Sequence, residues 1–255
     1  MRRILASDQE WPQQLNQLDV PPTQLFIESD ESDLSVLTSK SIAIVGSRNA
    51  TPYGLRVATE FAAALAESGY TIISGGAFGI DAAAHRGALS VGGKTVVVLA
   101  GGVDCPYPMA HSNLFADASK NGALISEHPA GTPSRKHNFL ERNRIIAGLA
   151  FGTLIVEAAF KSGAIRTALD TVKLLRPVMA IPGPISSPLS AGVNRLIAER
   201  VAELVTSVWQ IEEIVGSYGQ TGQVGQLMLG ADGMINPCLT QSNQPQIFGQ
   251  GLSLL

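Results

Sequence analysis

Residues 41–81, SIAIVGSRNATPYGLRVATEFAAALAESGYTIISGGAFGID, decide the fold. Residues 41–45 are a short apolar run that stops at Gly46, Ser47 and Arg48. Thr51 is a helix cap, Pro52 suits a first helical turn, and an amphipathic helix is expected to run to about Ser68, where Gly69 ends it. Residues 71–74 form the next apolar run, which breaks into Gly75, Gly76, Ala77, Phe78 and Gly79 before Ile80 and Asp81 open another helix. A strand, a glycine bend and a helix start leave backbone N–H groups facing an anion with no side chain in the way. Two such bends, one carrying Arg48, predict a phosphate-binding surface at the carboxyl ends of a parallel sheet.

The same alternation continues outward. Apolar runs are expected as strands over 95–99, 123–126, 154–156 and 177–181, and helices over 82–91, 111–119, 140–149, 164–175, 193–201 and 208–215. Strands apolar throughout, alternating with helices, predict an α/β fold: a mostly parallel, Rossmann-like sheet with helices on both faces. Residues 1–40 are polar and mixed, anchored by Trp11, Leu15, Leu18, Leu25, Phe26 and Ile27. They read as a lead-in packed on the domain edge, with a short strand near 25–28 and a helix break at Pro21–Pro22. The domain itself spans 41–215. Residues 216–255 are rich in Gly, Gln, Ser and Asn, carry no charge but Asp232, and read as a disordered tail.

Composition narrows the function classes. Of 255 residues, 45% are hydrophobic and 15% charged, enough for a sizeable core. A net charge of −3 argues against a generally basic nucleic-acid coat but leaves room for a local patch. Cys105 and Cys238 lack metal-ligand spacing and read as free thiols in a reducing compartment. No run is long enough to cross a membrane, and Ser7-Asp8-Gln9-Glu10 cuts short any signal peptide, so the cytoplasm is expected.

The candidate phosphate-binding residues are Gly46, Ser47, Arg48, Ser74, Gly75, Gly76, Gly79, Arg142 and Arg144. Gly101, Gly102 and Gly183 end further strands, and several side-chain-free bends on one edge open a groove into which a backbone phosphate can descend. Neither Gly-x-Gly-x-x-Gly nor Gly-Lys-Ser/Thr is present at a first strand end, which disfavours dinucleotide binding and nucleoside triphosphate hydrolysis. Ser47 and Ser74 are placed to donate hydroxyls to the same anion. Asp81 is better suited to capping or bracing than to catalysis. His85 and Arg86 face either the groove or the helix surface. Residues 134–144 hold four Arg or Lys against one acid. Arg142 and Arg144, two apart, point to different helix faces, which fits one phosphate contact and one internal bridge, to Glu127 or Glu157. Phe139 and Phe78 are available to stack on a base, against the commoner fate of core packing. Glu157, at a strand end, is preferred as a brace for Arg142 or Arg144 over a general base. No catalytic set, metal cluster or cofactor motif assembles.

At these residues the chain resembles the DprA/Smf family of DNA-processing proteins. The resemblance covers roughly 8–215. It rests on Ile44-Val45-Gly46-Ser47-Arg48, on Ser74 through Asp81 with His85-Arg86-Gly87, on Ser126-Glu127-His128-Pro129, and on Phe139 through Leu149. Glu157-Ala158, Ser162-Gly163-Ala164, Ile181-Pro182-Gly183 and Asn194-Arg195-Leu196-Ile197 complete it. The resemblance implies a non-enzymatic protein that binds single-stranded DNA, dimerises, and loads a RecA-type recombinase on incoming strands during transformation. It further implies that Gly46, Ser47 and Arg48 take a DNA phosphate, with the bend at 75–79 lining the groove and Arg142 and Arg144 supporting it. Three departures stand out: Met109 replaces an expected lysine, which removes one phosphate contact; no helical module precedes the domain; and the tail does not read as a winged helix. The alternatives are a nucleoside-monophosphate phosphoribohydrolase-like enzyme, whose Pro-Gly-Gly-x-Gly-Thr signature is lacking ahead of Glu157, and a nucleotide sensor using the same pocket.

Overall fold

A computed structural model describes residues 1–217; all but the first two residues of the polar tail lie outside them. Nine strands form one sheet in the order β1-β2-β6-β5-β4-β3-β7-β8-β9. The parallel part is built from β3 (Ser41–Val45), β4 (Thr71–Ser74), β5 (Thr95–Val98), β6 (Gly122–Ser126), β7 (Gly152–Ile155), β8 (Val178–Ala180) and β9 (Glu203–Leu204). Between them lie α1 (Pro52–Glu67), α2 (Ile80–Ser90), α3 (Ser112–Lys120), α4 (Lys136–Leu149), α5 (Gly163–Lys173) and α6 (Ala191–Ala198), and residues 208–217 form a last helix. No helix among the described residues is long and apolar enough to cross a membrane.

Alternation along each strand sorts the core into two layers. Ile42, Ile44, Ile72, Leu154 and Val156 point to the face covered by α1 and α2, where Val57, Ala58, Leu65, Ala84 and Ala88 meet them. Ala43, Val45, Ile73, Val96 and Ile155 point the other way, onto Ile145, Ile146 and Leu149 of α4 and Ala164 and Ala168 of α5. Both faces are covered, which is why the strands carry almost no polar residues.

The lead-in does more than pack on an edge. Its β1 (Arg2–Leu5) and β2 (Gln24–Glu28) are antiparallel strands that extend the sheet beyond β6, with Phe26 opposite Ser126. Trp11 and Leu15 are fully enclosed against the α4 side of the core.

The chain's winding positions the site. From β3 it moves outward to β4, β5 and β6, then returns to the other flank of β3 to lay down β7, β8 and β9. The reversal falls between β3 and β7, and the loops leaving their carboxyl ends diverge to opposite faces of the sheet, opening a crevice between them.

Candidate nucleic-acid interface

A groove of about 750 Å³ occupies that crevice. One wall is the turn after β3, residues Gly46, Ser47 and Arg48; another is Ser162, Gly163 and Ala164 at the start of α5; the third is Ser134, Lys136 and Phe139 around the start of α4. Backbone bonds lace these together. The Ser47 N–H donates to the Glu157 carbonyl (2.6 Å), and the Ile80 N–H donates to the Ser47 carbonyl (3.1 Å). That last approach needs Gly79, whose φ is +77° and whose missing Cβ would lie 2.1 Å from the Ser47 carbonyl oxygen.

The groove is electropositive for three independent reasons. Arg48 is exposed at its mouth, its guanidinium 5.0 Å above the Phe139 ring, with no carboxylate partner among the described residues. Helix α4 begins with Arg135, Lys136 and His137, has no acid in its first turn and no side-chain cap. Cations at a helix N-terminus run against the macrodipole, an arrangement that a bound anion would relieve. Helix α5 also points its N-terminus at the groove, with Ser162 accepting from the Ala164 N–H (3.2 Å) and Asn143 donating to the Gly163 carbonyl (3.2 Å).

Beneath the groove lie two buried ionisable groups of opposite sign, Arg142 and Asp81. Arg142 is 5% exposed, and its guanidinium rests where a side chain on Gly75 would be: a Cβ there would come within 1.5 Å of Nη1. Burial lowers its pKa to about 10, opposed by Asp81 and reinforced by Arg48, so it stays charged at neutral pH. Burial in turn raises the Asp81 carboxyl, opposed first by Arg142. The Arg142 Nε and Nη1 groups have no hydrogen-bond partner, although the residue lines the groove. Neighbouring His85 is enclosed. The Thr95 hydroxyl donates to the Ile72 carbonyl (2.8 Å), so His85 Nδ1 carries the proton and donates to Thr95 Oγ1 (2.7 Å). Burial, then Arg142, His111 and Arg86, drive its pKa down to about 3.

The candidate residues separate into groups. Gly46, Ser47, Arg48 and Arg142 line the groove; Gly75 and Gly79 shape it from behind. Gly76 packs on Phe115 and Val97, and its carbonyl meets His111 Nδ1 at 3.0 Å. Ser74, read from sequence as an anion donor, is fully buried and its hydroxyl donates to the Ile44 carbonyl (2.6 Å), because β4 is covered on both faces to its last residue. Arg144 lies outside the groove, and its Nη2 donates to both Glu127 oxygens (2.7 and 2.8 Å). Of the two bridge partners open in the sequence, Glu127 is the one used. The preference for Glu157 as an arginine brace is corrected: its carboxylate accepts from the Thr51 N–H (2.8 Å) and the Thr51 hydroxyl (2.6 Å), tying β7 to the start of α1. Thr51 caps α1 as its position predicts, accepting from the Gly54 N–H (3.1 Å). Asp81 is the brace that the sequence favoured. His85 faces neither groove nor solvent. Gly101 packs against Thr132 and Ser134 and stands behind the groove wall. Met109 is 83% exposed and does not line the groove. Sequence reading passed over Ser134, Asn143 and Tyr107. The first two were inside the basic segment, Ser134 just ahead of α4 and Asn143 on it; Tyr107 joins through an edge contact with Phe139 (5.8 Å).

Comparison with known proteins shows the family and the fold. The pattern of the family DNA recombination-mediator protein A matches residues 2–216. Protein Smf of Escherichia coli is 42% identical over 211 residues, 82% of this chain and 55% of its own length. The chain spans about half the length of the curated relatives it matches. Among solved structures, DNA processing protein A from Streptococcus pneumoniae superposes with a TM-score of 0.78 at 36% identity, over 82% of this chain and 72% of that one. The Helicobacter pylori DNA processing protein A, studied for its single-stranded DNA binding mode, gives 0.75 at 26% identity, over 87% and 97%. Matched along most of its length, this chain belongs to the DNA recombination-mediator protein A family, the DprA/Smf proteins.

Proposed function

We propose that this protein binds single-stranded DNA in the groove between β3 and β7 and passes the strand to a RecA-type recombinase during uptake of transforming DNA, acting as a cytoplasmic homodimer without catalytic turnover. The observation that carries the reading is Arg48: exposed, without an acid partner, and held over an aromatic ring at the mouth of a groove with two helix N-termini on its walls. A guanidinium beside a ring suits a sugar–phosphate chain whose bases are unpaired. Gly46, Ser47 and Lys136 take the phosphate with it. Arg142, charged and with two unpartnered N–H groups, supplies potential from below; Arg144 acts only through the fold.

Fluorescence anisotropy with a labelled oligo-dT tests this. Arg48→Glu is expected to weaken binding at least about a hundredfold at low salt, with an unchanged melting temperature since the side chain is exposed. Binding equal to wild type rejects the groove. The hydrolase alternative is disfavoured by Glu157, buried and engaged by Thr51; adenine released from AMP in a Glu157-dependent manner would reinstate it. Recombinase loading is read separately, as faster filament assembly on single-stranded DNA in the presence of the protein.

A further inference from the structure

The electropositive surface does not end at Arg48. The same residue borders a second cleft of about 420 Å³, whose walls include Asn49, Leu55, Phe78, Arg86 and His111. No acidic side chain lines it, and neither Arg48 nor Arg86 has a carboxylate partner among the described residues. Phe78 is 46% exposed in this cleft, so its ring is open to a ligand. Its orientation is fixed from below. The ring meets the buried His111 ring edge-on at 4.6 Å; His111 in turn donates from Nδ1 to the Gly76 carbonyl (3.0 Å) and packs edge-on to Phe115 at 6.0 Å. An exposed aromatic ring, in a cleft also lined by two guanidinium groups without carboxylate partners, complements an anionic chain with planar, unpaired groups.

We propose that this cleft takes the nucleotides that follow those in the main groove: Phe78 stacks on an unpaired base, Arg86 contacts the next phosphate, and Arg48 is shared by the two subsites. The inference rests on the single-stranded-DNA reading above and extends its footprint around the α2 side of Arg48. Arg86, which lies on the helix surface and not in the main groove, becomes a phosphate contact.

The experiment is a length series. Wild type, Phe78→Ala and Arg86→Ala are titrated with labelled oligo-dT from about four to about twenty nucleotides, and with a duplex of the longest length. All three proteins are expected to bind the shortest oligonucleotide alike. On the longest, each variant should lose about tenfold in affinity, with Phe78→Tyr restoring the stacking loss. Arg86→Ala should also flatten the salt dependence by about 0.7 log units per log unit of salt. Phe78→Ala should leave duplex binding unchanged, since paired bases cannot stack on the ring. Melting temperatures equal to wild type confirm that these exposed substitutions spare the fold. Variants indistinguishable from wild type at every length, a loss already complete on the shortest oligonucleotide, or an equal loss on duplex would each overturn the second subsite while leaving the main groove standing. If wild type binds no oligo-dT at all, the underlying reading fails and this one goes with it.

Discussion

Two arginines two positions apart on α4 come to opposite ends. Arg144 emerges toward the lead-in side, finds Glu127, and donates to both of its oxygens in a pair partly open to water. Arg142 turns under the sheet edge, presses on the bare backbone of Gly75, and shares its charge with a buried Asp81 while two N–H groups stay unpartnered. The first is a finished interaction, complete within the protein. The second holds positive potential under a groove with an exposed arginine above it. The residue type does not decide function here; what decides it is whether a neighbouring group has already satisfied the charge.

The contrast can be broken by experiment, most sharply at Arg142. Arg142→Ala removes the positive charge that opposes the burial of Asp81 and empties the space against Gly75, and is expected to cost about 2–3 kcal/mol in urea melts. The double variant Asp81→Ala/Arg142→Ala should cost less than the sum of the two single changes. Simple additivity would show that the pair is not coupled, and the distinction between the two arginines would lose its basis.

The next effect is on pH. In the unfolded chain the His85 imidazole takes up a proton below about 6.5, whereas in the fold it resists until about 3. Between those values the unfolded state binds more protons, so His85 contributes a loss of stability as pH falls, by about 1.4 kcal/mol per pH unit. Asp81, raised by burial, acts in the opposite sense. Urea melts at a series of pH values, compared with His85→Gln, isolate the imidazole: the variant should lose stability less steeply toward acid. Parallel curves would mean that water reaches the ring and that the layer below the groove is not dry.

The smallest change is expected at the finished pair. Arg144→Ala, with both partners partly exposed, should cost about 1 kcal/mol or less and leave oligo-dT affinity unchanged. A clear fall in affinity with the melting temperature held would return Arg144 to the binding surface.

Much of this was legible in the chain itself. β3 and β4 fall where the apolar runs 41–45 and 71–74 end in glycine, since a fully buried parallel strand has no polar face to blur its limits. β1 was not legible: only Ile4 of its four residues is buried, so Arg2-Arg3-Ile4-Leu5 looks like a polar terminus. β9 is two exposed residues. α4 starts four residues earlier than its apolar pattern, because its first turn is cationic and uncapped and so carries none of the usual start signals. In the site, Arg48 could be found because it follows a strand-ending glycine. That Arg142 and Arg144 face different ways was visible in their spacing, but the choice of Glu127 over Glu157 as the bridge partner was not. Glu157 went to Thr51 because β7 returns beside β3, a neighbour relation that only the sheet order reveals. Ser74 was lost for a local reason: β4 is buried on both faces to its last residue, and the hydroxyl is taken by the Ile44 carbonyl of the neighbouring strand.

Amide hydrogen exchange with and without a saturating oligo-dT tests the central claim most directly, because it reports where the strand lies without altering any residue. The account predicts slowed exchange concentrated at residues 46–49, 134–143 and 162–164, the three walls of the crevice between β3 and β7. Protection confined to the lead-in or to α6, with those three segments unchanged, would contradict it.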